Sequence, residues 1–238
     1  MSGKNTGGVP RHLGIILDGN RRFAKRIMIK PWKGHEWGAQ KVEKVIDWCK
    51  EYGIQELTLY AFSIENFDRP KDEFDELMRL FKEECERLLA DERLNTEKRL
   101  RISFIGRIWM FPVELQERMR QLQEKTKDNG PNRLNLAMAY GGRAEVIDAT
   151  RKIATMVKDG KLTVDQINED IFSKQLYIES EPDLIIRTSG EHRTSGFLLW
   201  QSSYAELYFC PKLWPEFEKE DLAQAIESYA SRDRRFGK

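Results

Sequence analysis

Asp18, Gly19, Asn20, Arg21 and Arg22 follow directly on the apolar run 13–17. They combine a carboxylate, a flexible backbone position and two guanidinium groups. Guanidinium forks match phosphate oxygens, glycine lets a backbone approach a ligand, and an aspartate can hold Mg²⁺ against phosphate. Two more clusters share that character. Ser63, Ile64, Glu65, Asn66, Phe67, Asp68 and Arg69 follow the apolar run 57–62, and Arg187 to Ser195 follow the run 184–186. Ser63, Glu65 and Asn66 are suited to positioning a proton acceptor or a substrate hydrogen bond. Arg187, Arg193 and Ser195 read as an anion clamp. Each cluster also has a purely structural reading. Asp18 serves equally as a helix N-cap, Ser63–Asn66 as a helix-initiating turn with Asp72 capping the next helix, and 187–195 as a solvated loop. A lone histidine such as His35 is more often structural than catalytic.

Short apolar runs bounded by glycine and polar residues predict buried parallel strands, and open α/β sheets bind ligands outside the carboxyl ends of their strands. Strands are expected at 13–17, 55–62, 100–105, 134–140, 184–186 and 207–209. Helical spacing is seen at 38–53, ending on Gly53, and at 72–90, where Phe74, Leu77, Met78, Phe81, Cys85, Leu88 and Leu89 form one stripe. That stripe is either plain core or one wall of a lipid tunnel. Further helices are expected from Pro112, over 144–157, over 163–172 and over 221–229. The alternation predicts a single α/β domain with a mostly parallel sheet of about six strands, helices on both faces.

Composition narrows the function. Charged residues make up 33% of the 238-residue chain and the net charge is +1, so no basic excess points to nucleic acid. There is no GxGxxG after the first strand and no GxxxxGK[ST], which excludes the dinucleotide and P-loop readings. Cys49, Cys85 and Cys210 are unclustered, as in a cytoplasmic protein with reduced thiols, and Cys49 and Cys85 fall on buried stripes. Residues 1–10 read as a flexible arm without a signal-peptide core, ahead of one domain over 11–238, which the resemblance given below implies is catalytic. No stretch reaches the length of a membrane span, while peripheral membrane contact stays open.

The whole pattern resembles the cis-prenyltransferases, the family of undecaprenyl and dehydrodolichyl diphosphate synthases. The resemblance rests on Asp18–Lys25, Gly34-His35, Tyr60–Phe67, Arg69-Pro70, Tyr140–Arg143, Asp183–Arg193, Phe197–Gln201, Ala205–Phe209 and Arg234–Gly237, in order and at family spacing. It implies an Mg²⁺-dependent enzyme that condenses isopentenyl diphosphate with an allylic diphosphate, forming Z double bonds. By that resemblance Asp18 binds metal and the allylic diphosphate, helped by Gly19, Asn20, Arg21, Arg22 and His35. Ser63, Ile64, Glu65, Asn66 and Arg69 lie beside the leaving group, with Asn66 in the proton-relay position, and Phe23 and Phe67 face the prenyl chain. Arg187, Arg193, Thr194 and Ser195 hold isopentenyl diphosphate, and Glu206 and His192 complete the metal site. Arg235 and Gly237 match a tail that reaches into a neighbouring subunit, implying a homodimer. Pro31 and Arg107 depart from common family residues, and Arg21 matches the archaeal and eukaryotic branch. Two other readings are an irregular prenyl coupling or another acceptor, and a non-catalytic partner subunit. The intact Asp18 and Ser63–Asn66 motifs stand against the second.

Overall fold

The computed structural model describes residues 8–232. In chain order these form β1 (His12–Ile16), α1 (Asn20–Arg26), α2 (Pro31–Tyr52), β2 (Glu56–Ser63), α3 (Lys71–Ala90), α4 (Arg93–Thr96) and β3 (Leu100–Ile105). There follow α5 (Val113–Thr126), β4 (Asn132–Tyr140), α6 (Gly142–Lys158), α7 (Glu169–Ser173), β5 (Leu184–Arg187), β6 (Glu206–Phe209) and α8 (Lys219–Ala230). All six strands join one parallel sheet in the order β3-β4-β2-β1-β5-β6. β1 and β5 are buried at every position, which is why they read as unbroken apolar runs and not as alternating ones.

One face of the sheet packs Leu13, Ile15, Leu57, Leu59 and Ile186 against Val45 of α2 and Leu222 of α8. The core continues beneath α3 and α5, where Phe62 and Met138 meet Leu77, Phe111 and Leu115. On the other face Ile16, Tyr60, Ala137, Tyr140 and Ile185 pack with Phe197 and Leu198. The chain leaves β1 toward β2 and leaves β5 toward β6, in opposite directions across the sheet. The gap between the carboxyl ends of β1 and β5 is therefore the topological switch point, where open α/β sheets take ligands.

The expected six-stranded parallel sheet is present, with three local differences. α2 begins at Pro31, not at residue 38, because proline suits the first turn and has no amide to leave unpaired. It ends as expected on Gly53. Pro70, not Asp72, is the cap of α3. The expected helix over 163–172 is two pieces, a 3₁₀ turn at Val164–Gln166 and then α7. Thr163 and Gln166 cap the turn reciprocally and Asn168 caps α7, so three local side-chain bonds divide what one apolar pattern joined.

Candidate active site

Asp18 lies two residues past the end of β1, and Arg187 closes β5 in register with Ile16. Thr188 ties the two ends together: the Asp18 amide donates to its hydroxyl at 3.0 Å, and that hydroxyl lies 2.7 Å from the Asp18 carbonyl. The Asp18 carboxylate accepts from Arg187 Nη2 at 2.7 Å and from Arg22 Nη2 at 3.2 Å. Arg187, 5% exposed, also donates from Nη1 to the Arg193 carbonyl at 2.6 Å and to Ser195 Oγ at 2.8 Å. Arg22 reaches the Ser189 carbonyl and Glu191, each at 3.3 Å, and Glu191 also pairs with Arg193. Burial alone would push the Asp18 carboxyl up; the Arg187 hydrogen bond and the charges of Arg187 and Arg22 outweigh it and hold it below its ordinary value. The N-cap reading of Asp18 is not realised. Gly19 is the cap, at φ +114°, with the backbone of Leu213 about 3.0 Å from where a side chain would stand.

Beside this pair a cavity of about 590 Å³ is lined by Asp18, Gly19, Arg21, Arg22, Lys25, His35 and Arg69 among others. Its far wall depends on Glu73, a residue the sequence reading missed. Glu73 is 3% exposed, accepts from Arg69 Nη1 at 2.9 Å, and lies 3.5 Å from Arg21 and 3.7 Å from His35. Arg69 Nη1 also points at His35 Nε2 at 2.9 Å; a guanidinium only donates, so that nitrogen accepts and the ring is neutral. Burial lowers the His35 pKa, with Arg69 and Arg21 adding to it. The nearby His35 ring, then the charges of Arg69 and Arg21, hold the Glu73 carboxyl low. The only local signal was an acid four residues after Arg69 on the first turn of α3; its partners Arg21 and His35 lie on other elements.

Ser63 and Asn66 do form the expected turn. Ser63 caps the 3₁₀ segment Ile64–Asp68, and its amide donates to Asn66 Oδ1 at 3.0 Å. Ile64 packs beside Gly141, Glu65 is exposed, and Phe67 joins Phe62, Phe74 and Phe111 in an aromatic cluster. That turn sits at the carboxyl end of β2, next to β1.

Other expected site residues are placed elsewhere. The Asn20 side chain turns into α2, where Gly38 leaves room for its Oδ1, and Gly34 leaves room for its carbonyl. Phe23 is buried against Trp37. His192 stacks on Phe209, with ring centroids 4.7 Å apart. Glu206 opens β6 level with Leu184 and Leu13, at the amino end of the sheet, and pairs with Arg232. Three strand steps, roughly 10 Å, separate that level from Ile16. Asp18, His192 and Glu206 are thus not gathered into one metal site within the chain, and no such group of three His, Cys, Asp or Glu occurs among the described residues. Thr194 accepts from the Phe197 amide through its carbonyl. Arg235 and Gly237 lie outside the described residues. Arg107 is explained: its fork holds Asp148 at 2.9 and 3.0 Å, and Tyr177 donates to the same carboxylate. Pro31 opens α2 and lines the cavity, and Lys33 beside it pairs with Glu36 at 2.8 Å. Cys49 and Cys85 are buried, as expected, and burial pushes both thiols up to about 12.

A doubly covered parallel sheet with carboxylate, guanidinium and imidazole groups at adjacent strand ends defines an α/β protein built to hold anionic ligands. Residues 16–237 match the family model described as putative undecaprenyl diphosphate synthase. The chain is 46% identical to the tritrans,polycis-undecaprenyl-diphosphate synthase (geranylgeranyl-diphosphate specific) of Methanopyrus kandleri, covering 98% of this chain and 86% of that one. It is 45% identical to the isoprenyl transferase of Thermus thermophilus, over 98% and 90%. Among solved structures, lavandulyl diphosphate synthase from Lavandula x intermedia, in complex with dimethylallyl diphosphate, superposes with a TM-score of 0.91 at 37% identity, covering 97% and 99%. A probable undecaprenyl diphosphate synthase from Campylobacter jejuni gives 0.79 at 33% identity, covering 96% and 99%. The chain belongs to the undecaprenyl diphosphate synthase family of cis-prenyltransferases, and it is an enzyme that transfers prenyl groups.

Proposed function

We propose that the chain condenses isopentenyl diphosphate with an allylic diphosphate, in the presence of Mg²⁺, to build a Z-configured polyprenyl diphosphate. Geranylgeranyl diphosphate is the proposed primer, in keeping with the specificity named for the Methanopyrus kandleri relative. The observation that carries this reading is the cationic cavity meeting Arg187 at Asp18. Arg21, Arg22, His35 and Arg69 hold the allylic diphosphate as it leaves, and preorganised donors there favour the charge that develops on it. Arg187, Arg193 and Ser195 hold the second diphosphate. Asn66, whose Oδ1 is fixed by the Ser63 amide, would relay the proton lost when the new double bond forms to an oxygen of the departing diphosphate, its final acceptor. The aromatic cluster of Phe62, Phe67, Phe74 and Phe111 keeps water from the allylic cation.

The donor set fits a divalent cation brought in by a diphosphate. Asp18 offers one carboxylate at the cavity, and Mg²⁺ at phosphate sites takes one or two carboxylates, with substrate oxygens and water filling the rest. When bound, the metal supplies neutralisation of the leaving diphosphate. Incubation with radiolabelled isopentenyl diphosphate and dimethylallyl, farnesyl or geranylgeranyl diphosphate tests the proposal; a ladder of long products from geranylgeranyl diphosphate is expected, and no product from any primer refutes it. The lavandulyl synthase likeness favours a second reading, irregular coupling of short units, and a branched product from dimethylallyl diphosphate would establish it.

Homodimerisation through Arg235 and Gly237 is proposed with it, tested by restoring activity on mixing Arg193→Ala protein with a chain lacking residues 235–238. No described helix is long and apolar enough to cross a membrane. Peripheral contact is proposed only for release of a lipid product.

A further inference from the structure

We infer that the Asp18–Arg187 ion pair is a latch coupling the two diphosphate positions, an inference that rests on their assignment above. Arg187 spans both. One Nη reaches Ser195 and the Arg193 carbonyl, on the isopentenyl side; the other is held by Asp18, on the allylic side. Its Nε is buried without a partner, and the side chain is only 5% exposed. Arg22 and Arg193 are likewise occupied by acids, through Asp18 and Glu191. Each guanidinium proposed to grip a diphosphate is thus already paired inside the protein.

Two consequences follow from electrostatics. A bare divalent cation approaching Asp18 meets two guanidinium groups within 3.2 Å of that carboxylate, so it is repelled unless it arrives with a diphosphate. Once a cation-bearing diphosphate takes the Asp18 carboxylate, the second Nη of Arg187 is released toward Ser195 and Arg193. The isopentenyl position therefore gains its full bidentate grip only after the allylic position is filled. The coupling is reciprocal, as any equilibrium linkage must be.

Manganese(II) alone, titrated into the protein and followed by the loss of its free electron-paramagnetic-resonance signal, tests the latch without any prenyl substrate. Arg187→Gln is expected to bind Mn²⁺ at least tenfold more tightly than wild type, and the Asp18→Asn/Arg187→Gln protein to lose that gain. Equal affinity in wild type and Arg187→Gln overturns the latch. If Arg187→Gln does not fold, calorimetric titration of Asp18→Asn with isopentenyl diphosphate in EDTA replaces it. Binding at least fivefold tighter than wild type is expected, and the gain must shrink in an Arg187→Lys background. A gain of the same size there reflects lost negative charge alone and overturns the latch, as does no gain. Absence of prenyl transfer alongside the expected Mn²⁺ result would overturn the substrate assignment and with it the coupling of two diphosphates, leaving only the ion pair's control of cation binding at Asp18.

Discussion

Tyr60 and Phe62 stand two residues apart on β2, yet they face opposite sides of the sheet. Tyr60 stacks on Phe197 at 5.0 Å, whereas Phe62 packs on Phe111 at 5.5 Å beneath α3 and α5. A regular strand puts residues i and i+2 on one face. The register against β4 shows how the rule is broken: Tyr60 pairs with Ala137, Phe62 with Met138 and Ser63 with Tyr140. Ala61 is the extra residue on one strand and Ala139, at φ +46°, on the other, so two bulges offset each other. They turn Phe62 and Met138 toward the aromatic cluster while Tyr60 and Tyr140 stay with Phe197.

Ala139 is then a position where side-chain size matters more than usual. Left-handed backbone strains alanine, and a β-branched residue more. Ala139→Gly should leave stability within about 1 kcal/mol of wild type, since relief of strain and added chain entropy nearly cancel. Ala139→Val should lose more than about 2 kcal/mol in denaturant titrations, because the site is also fully buried. Equal stability of the two variants would argue against the bulge.

Asp18→Ala should lower kcat/KM by at least about 10²-fold, through loss of charge stabilisation at the leaving group. It should also lose about 1–3 kcal/mol of stability, because Arg187 stays buried without its anion. Steady-state kinetics and urea titration read both effects. Turnover within a few-fold of wild type at saturating Mg²⁺ would remove Asp18 from the site.

Glu73→Ala leaves Arg69, His35 and Arg21 facing one another around a vacated position. A stability loss of about 3 kcal/mol is expected, with the KM for the allylic diphosphate rising more than kcat falls. Glu73→Gln, which keeps the shape and one acceptor, should recover part of both. Loss of kcat alone would show that Glu73 acts on chemistry and not on positioning.

Product length should respond to the α3 face unevenly. Leu77 and Phe81 pack in the aromatic cluster, whereas Leu88 packs in the core beneath α2. Leu77→Trp and Phe81→Trp should shorten the products seen by chromatography, with Leu88→Trp as a control that leaves them unchanged. An identical product ladder in all three would show the cluster to be plain core.

Acid should weaken the fold through His12 as well as His35. His12 is buried, its Nε2 is 2.7 Å from Thr58 Oγ1, and burial lowers its pKa. The unfolded histidine takes up a proton near pH 6.5, whereas the folded one takes it up only at lower pH. Stability from this group is therefore full above about pH 6.5 and declines as pH falls toward the folded value. Glu145, whose carboxyl burial pushes up, works in the opposite direction but is common to both proteins in a comparison. Denaturant titrations at pH 7.5 and 5.5 should show wild type losing more stability than His12→Gln.

The sequence alone determined the six parallel strands and the groups at their carboxyl ends, because each apolar run is a local signal and its final residues must emerge at the strand end. It also carried the family, whose motifs are runs of adjacent residues. What only the tertiary structure decided is which groups face one another. Asp18 and Arg187 are 169 positions apart, and nothing local says that β1 and β5 are neighbours. Glu73 was invisible as a site residue because an acid on the first turn of a helix looks like ordinary surface until Arg21, His35 and Arg69 close over it. The reversal of face between Tyr60 and Phe62 was equally hidden, since period-two alternation assumes a strand without bulges. Glu206 shows the converse: motif order placed it with Asp18, but β6 runs parallel to β5, so its first residue stands at the far end of the sheet.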